Sequence, residues 1–287
     1  MNSIEAYRKT KDPLYLPYIQ FVRATTKFYQ TTIHTSYGEI AVTIYRPDEN
    51  LTKKRAVYFN FHGGGFVLGY YEQDGRICQE ISQRADCIVV NIDYLLAPEH
   101  KFPAPVLSAA EVILQVIETL EGLDEEKIFI GGFSAGGNLS ISTYLCLKEQ
   151  LSGRVKGLLS AYAPVDFSIN EETRVSEKPE LAISPIRLKE YKEWYFSNNE
   201  EHKHPLASPI YGDLTEFPPT FILSAEYDSL CHEEKRLAKT LQKAGNEVVY
   251  HCYPVCTHGF THELFSYHEK NAKEALAQIV AFVRDHS

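Results

Sequence analysis

Apolar and polar positions fall into alternating short and long blocks. Short apolar runs stand near residues 55–61, 87–92, 127–131, 155–161, 219–225 and 247–253, and longer stretches near 72–85, 104–121, 135–150, 231–244 and 268–284 separate or follow them. Runs of the first kind, bounded by turn residues, predict strands buried on both faces, and those of the second predict helices. Their alternation predicts a mainly parallel sheet with helices on both faces. Ahead of this region, residues 32–36 and 39–45 around Tyr37-Gly38 predict a hairpin. Residues 166–215 break the rhythm, being richer in charge and without a clear strand, and predict a helical cap. With the first 30 residues, which carry Tyr7, Tyr15, Tyr18, Phe21 and Phe28, this cap is expected to form the lid and substrate pocket of one 287-residue domain. Trp194, Tyr195 and Phe196 either contact substrate there or anchor a cap helix to the core.

The expected strand ends hold the candidate chemistry. Lys127-Ile128-Phe129-Ile130 runs into Gly132-Phe133-Ser134-Ala135-Gly136, a serine between two glycines at a strand-to-helix turn. Such a turn holds the serine in a strained backbone and presents its hydroxyl at the top of the sheet. The strand near 55–61 leads into His62-Gly63-Gly64-Gly65-Phe66, whose bare backbone N–H groups suit a developing oxyanion. A phosphate cradle is the competing reading, but the lysine-bearing phosphate loop and the dinucleotide glycine pattern are both missing.

A serine needs a base, and the base an orienting acid. Asp228 follows the strand near 219–225, and His258 lies in the loop after the strand near 247–253. Serine, acid and histidine thus stand in the order used on open α/β sheets. Glu226 and Asp213 are rivals for the acid, and Gly212-Asp213-Leu214 reads as a turn instead of a strand end. His62 is a rival base, with a structural role in the glycine loop expected of it.

These motifs, with Asp93-Tyr94-Leu95-Leu96-Ala97-Pro98-Glu99-His100 and His258-Gly259-Phe260, make the chain resemble the hormone-sensitive-lipase-like family of α/β-hydrolase esterases from about residue 30 to 262. The resemblance implies an α/β-hydrolase fold, with Ser134 as nucleophile, His258 as base, Asp228 as its partner and the amides of Gly64, Gly65 and Ala135 as oxyanion donors. It implies supporting roles for His62, Gly63 and Glu99, the last bracing the elbow by hydrogen bonds. It also implies hydrolysis of short-chain esters, acetyl to about hexanoyl, through an acyl-enzyme, without metal or organic cofactor, and a possible homodimer through an edge strand or terminal helix. Three positions depart from the family pattern: Phe133 replaces an aspartate, Leu95 an arginine, and Cys231-His232 an Arg-Asp stretch. An amidase or formamidase on the same residues, and a non-catalytic small-molecule receptor, are the alternatives.

Composition fits a single large core, with 44% hydrophobic residues. A net charge of −9 disfavours nucleic acid as a partner. The absence of a long apolar run and of an apolar leader segment predicts a cytoplasmic protein that does not bind membranes. Six cysteines are expected to stay reduced, and Cys252 and Cys256 flank the loop to His258, where an oxidised pair would distort it. His202 with His204, and His258 with His262, have metal-like spacings but lack a clear third ligand.

Overall fold

The structure, a computed structural model, describes residues 3–262 and 269–287. Residues 1–2 of the expected cap and residue 268 of the expected last helix lie outside them. Eight strands form one sheet: β1 (Tyr29–Thr35), β2 (Gly38–Tyr45), β3 (Arg55–Phe61), β4 (Ile88–Ile92), β5 (Leu123–Phe133), β6 (Val155–Ala161), β7 (Thr220–Ala225) and β8 (Val248–Tyr253). Their order is β1-β2-β4-β3-β5-β6-β7-β8. Only the β1–β2 and β2–β4 pairings are antiparallel, and β4, β3, β5, β6, β7 and β8 run parallel. This is the α/β-hydrolase fold, as the strand and helix pattern and the motifs together led one to expect.

Every residue of β3, β4 and β7 is buried, because helices cover both faces of the sheet. Alternate side chains serve different cores. Val57, Phe59 and Phe61 of β3 join Val90 and Ile92 of β4 against α3 (Ala104–Thr119) and α4 (Ala135–Leu147). Ala56, Tyr58, Val89 and Phe129 point the other way, against α2 (Gly75–Ala85) and α7 (Glu269–Asp285). The core is thus two apolar layers divided by the sheet, and the loops at the carboxyl ends of the parallel strands are left to carry chemistry.

Two elements cover that end. The first is α1 (Ile4–Thr25), whose Tyr7, Tyr15, Ile19 and Val22 are buried while Pro13 and Pro17 face outward. The second is α5 (Pro185–Tyr195), capped by the Ser184 hydroxyl, which accepts the Arg187 amide at 3.3 Å. Short 3₁₀ turns make up much of the rest of residues 166–215, and α6 (Cys231–Lys243) follows β7.

Candidate active site

Ser134 sits between β5 and α4 with φ 55° and ψ −120°, a conformation few side-chain-bearing residues adopt. The turn is so tight that a Cβ on Gly136 would collide with the Phe61 carbonyl of β3, so only glycine fits there. The Ser134 backbone N–H donates to the Ala161 carbonyl of β6 at 2.8 Å, which ties the turn to the neighbouring strand. Ser134 occupies the position before the first turn of α4, yet its hydroxyl does not cap the helix. The hydroxyl instead lies 2.8 Å from His258 Nε2.

His258 Nδ1 lies 2.6 Å from Asp228 Oδ2, and the Asp228 side chain is fully shielded from solvent. The other carboxylate oxygen accepts the Leu230 amide at 3.2 Å. A carboxylate on Nδ1 requires that nitrogen to carry the proton, which leaves Nε2 as the acceptor facing Ser134. The Tyr162 ring meets the His258 ring edge-on at 5.0 Å and limits its rotation. Ser134, His258 and Asp228, far apart in sequence, are therefore joined in one hydrogen-bonded chain.

The rival residues are placed elsewhere. Glu226 accepts the Val255 amide at 2.7 Å and holds the turn after β8. Asp213 is an exposed partner of Lys148 at 2.7 Å. His62 is completely buried, stacks on Tyr94 at 4.2 Å and donates from Nδ1 to the Gly63 carbonyl at 2.7 Å. Burial pulls its pKa down to about 4, so its ring stays neutral at physiological pH and pins the glycine loop. Glu99 corrects an expectation: it does not brace the elbow. It is exposed, and Arg8 of α1 grips both its oxygens at 2.6 and 2.9 Å while also donating to the Val67 and Ala97 carbonyls. Sequence spacing gave no sign that α1 returns over this loop.

The glycine loop lies beside the serine, with the Cβ position of Gly63 only 3.5 Å from Ser134 Cβ. Among the described residues, the amides of Gly64, Gly65 and Ala135 have no carbonyl partner. Ala135 begins α4, whose positive end points to the same place. The glycine loop, Ser134 and His258 open on a cavity of about 180 Å³, walled by Tyr7, Lys11 and Tyr15 of α1, Ile183 and Tyr191 of the cap, and Leu68, Gln73, Phe133, Tyr162 and His262.

Several of these side chains were not singled out from sequence. Tyr191 is one, and its hydroxyl meets that of Tyr7 at 2.6 Å. Trp194, Tyr195 and Phe196 do not line the cavity: Tyr195 stacks on Phe66 at 3.9 Å and Phe196 packs on Phe167 at 4.9 Å, anchoring the cap. Tyr18, Phe21 and Phe28 also lie off its walls. Beneath the floor, His262 Nε2 bonds to Asp74 at 2.8 Å, and Asp74 accepts from Asn60 at 2.8 Å. Phe133, the departure next to the serine, packs edge-on against the His262 ring at 4.8 Å, so an apolar and aromatic contact fills that place. Leu95, the second departure, packs on the core.

Two buried glutamates of α6 were also unread. Glu234 accepts the Ala163 amide at 2.7 Å and the Ser224 hydroxyl at 2.9 Å, and Glu233 accepts the Val165 and Asp166 amides at 2.8 and 2.9 Å. They hold the loop that carries Tyr162. Burial raises both carboxyl pKa values. Their signal in the sequence was faint, since an acidic pair in the first turn of a helix is common on surfaces. All six cysteines are free thiols, and the partner of Cys252 is Cys231, the third departure, at 3.6 Å between sulfurs. Cys256 is buried and accepts from Asn271. Among the described residues, no group of three or more His, Cys, Asp or Glu side chains could hold a metal ion, and no helix is long and apolar enough to cross a membrane.

Residues 58–262 match the Abhydrolase_3 family model, described as the alpha/beta hydrolase fold. Over 235 residues the chain is 30% identical to an acetyl esterase of Salmonella dublin, covering 80% of this chain and 72% of that one. It is similar to the hyperthermophilic esterase of the archaeon Pyrobaculum calidifontis, with a TM-score of 0.89 and 29% identity over 99% of this chain and 91% of that one. It is also similar to EstE1, a thermostable carboxylesterase from a metagenomic library, with a TM-score of 0.88 and 27% identity over 99% and 97% of the two chains.

Proposed function

We propose that this chain, which belongs to the hormone-sensitive-lipase-like family of α/β-hydrolase esterases, is a serine esterase of short-chain carboxylic esters acting through an acyl-enzyme. That the chain is a carboxylic ester hydrolase follows from its family and relatives. The path and the ester class are the proposal, and the observation that carries it is the unbroken Asp228–His258–Ser134 chain facing a small cavity.

In this reading an ester enters under the cap with its carbonyl oxygen toward the amides of Gly64, Gly65 and Ala135. Ser134 Oγ attacks as its proton passes to His258 Nε2, and Asp228 stabilises the imidazolium without taking the proton. The amides hold the oxyanion, each worth about 10²-fold or more in turnover. His258 then protonates the leaving alcohol, and a water repeats the cycle to free the acid. One catalytic domain carries this chemistry, with the first 30 residues and residues 166–215 as its lid.

The size of the cavity supports a short acyl chain. At about 180 Å³ it is small beside the roughly 300–1,000 Å³ usual for drug-sized ligands. The test is turnover of p-nitrophenyl esters from acetyl to dodecanoyl, with a Ser134→Ala variant alongside. Activity that peaks between acetyl and hexanoyl and is lost in the variant is the expected result. A maximum at long chains would overturn the proposed ester class, and full activity in the variant would overturn the nucleophile.

A further inference from the structure

We infer that the esters this site favours carry a free carboxylate, bound by Lys11. The inference rests on the esterase reading of the site and adds to it the chemistry of the substrate.

Lys11 is out of place by the pattern of its own helix. Tyr7, Lys11, Tyr15 and Ile19 follow at four-residue intervals on α1, and with Val22 they form the stripe turned inward. Tyr7, Tyr15, Ile19 and Val22 are buried, and Lys11, half-buried, is the one charged member. A lysine on such a stripe ordinarily lays its stem along apolar surface and sends its ammonium out to water. Here the side chain lines the same cavity as Ser134 and His258.

Its surroundings do not neutralise it. Among the described residues, Lys11 has no ion-pair partner, and no acidic side chain lines the cavity. That is notable in a chain with 38 acidic against 29 basic residues, where chance would favour a carboxylate on the wall. Its neighbour in charge is a second cation. Arg187 lies 3.9 Å from the centre of the Tyr7 ring, and the Lys11 ammonium lies 5.4 Å from it, so both sit by one tyrosine. Glu190 pairs with Arg187 at 2.7 Å and leaves Lys11 uncompensated. Burial, and then the Arg187 charge, pull the Lys11 pKa below its ordinary value, which is the sign of a cation without a partner.

A group held this way gains most from an anion small enough to share the cavity with an ester. A carboxylate on the substrate would accept from the ammonium and, at the same wall, from whichever of the paired Tyr7 and Tyr191 hydroxyls does not donate to the other. The net charge of −9 repels anions from the protein as a whole, so the preference must come from this local cation.

The test compares matched esters that differ only in charge: 4-acetoxybenzoate against 4-acetoxybenzamide, and monoethyl adipate against its monoamide. The readout is the ratio of kcat/KM within each pair, for the parent, Lys11→Met, Lys11→Gln and Lys11→Arg, at low and high salt. A ratio within one protein sample cancels any loss of folded enzyme. The parent is expected to favour the carboxylate in at least one pair by about tenfold, as a single charge-assisted hydrogen bond provides. The ratio should fall to one or below in Lys11→Met and Lys11→Gln, recover in Lys11→Arg, and shrink with salt. Hydrolysis of the neutral esters with a ratio at or below one in the parent overturns the inference and leaves the esterase reading standing, as does a preference that survives both neutral substitutions. Failure to hydrolyse any of the four esters overturns both.

Discussion

The ring of Tyr191 occupies the space beside Gly65 so closely that a Cβ on the glycine would come within 2.5 Å of it. The cap and the glycine loop are thus in direct contact, and the lid is part of what shapes the loop. Gly65 also has φ 60°, which a side chain disfavours. Gly65→Ala is expected to lower kcat by about 10²-fold or more through a displaced oxyanion amide. Adding Tyr191→Ala should recover part of that loss by removing the clash while the backbone strain remains. If the single variant keeps parental kcat, the contact does not govern the loop.

Asp228 and Glu226 separate cleanly by partner, since one meets His258 and the other the Val255 amide. Asp228→Asn keeps the shape but disfavours the tautomer that accepts the serine proton, and kcat should fall by about 10³–10⁴-fold. Glu226→Gln retains an acceptor for Val255 and should stay within a few-fold of the parent. Equal losses from the two would argue against Asp228 as the orienting acid.

His62 gives a pH dependence to stability. Burial pulls its pKa down to about 4, below the ordinary 6.5 that it regains on unfolding. Between these values the unfolded chain binds the extra proton, so the contribution is complete above pH 6.5 and is lost as pH falls toward 4. Its size is about 3 kcal/mol, from the shift alone. Urea unfolding from pH 4 to 8 should show this slope, and His62→Asn should flatten it. A parallel slope in the variant would assign the effect to other groups.

Cys252 is exposed and its pKa is lowered to about 7, first by the adjoining Cys231 thiol. It should react first with iodoacetamide at pH 7.5, well ahead of the buried Cys78, Cys87 and Cys256. Peptide mapping after partial alkylation checks the order, and preferential labelling of a buried thiol would contradict it.

What could be read from the sequence depended on how local its causes were. The parallel strands showed themselves because β3, β4 and β7 are mostly apolar and buried along their whole length, and the serine turn because Gly132 and Gly136 bracket it at a spacing visible in the chain, although the Phe61 carbonyl that excludes a side chain at Gly136 comes from β3. The start of β5 was hidden, since Asp124, Glu125 and Glu126 are charged and the apolar run begins only near residue 127, yet Leu123 pairs with Arg55 across an irregular register. The helical form of α1 was hidden as well. Pro13 and Pro17 break the pattern, but both fall on the outer side, where a lost N–H donor faces water. Contacts between distant segments left no local trace, and Arg8–Glu99, His262–Asp74 and Glu234–Ala163 all belong to that class.

The central claim is that Ser134, activated by His258, is the nucleophile. An activated alkyl fluorophosphonate should add once per chain, seen by intact mass, with the adduct mapped to the peptide holding Ser134 and esterase activity lost in proportion. His258→Ala should label far more slowly. An esterase that remains active with no adduct, or that carries its adduct on another residue, would contradict the account.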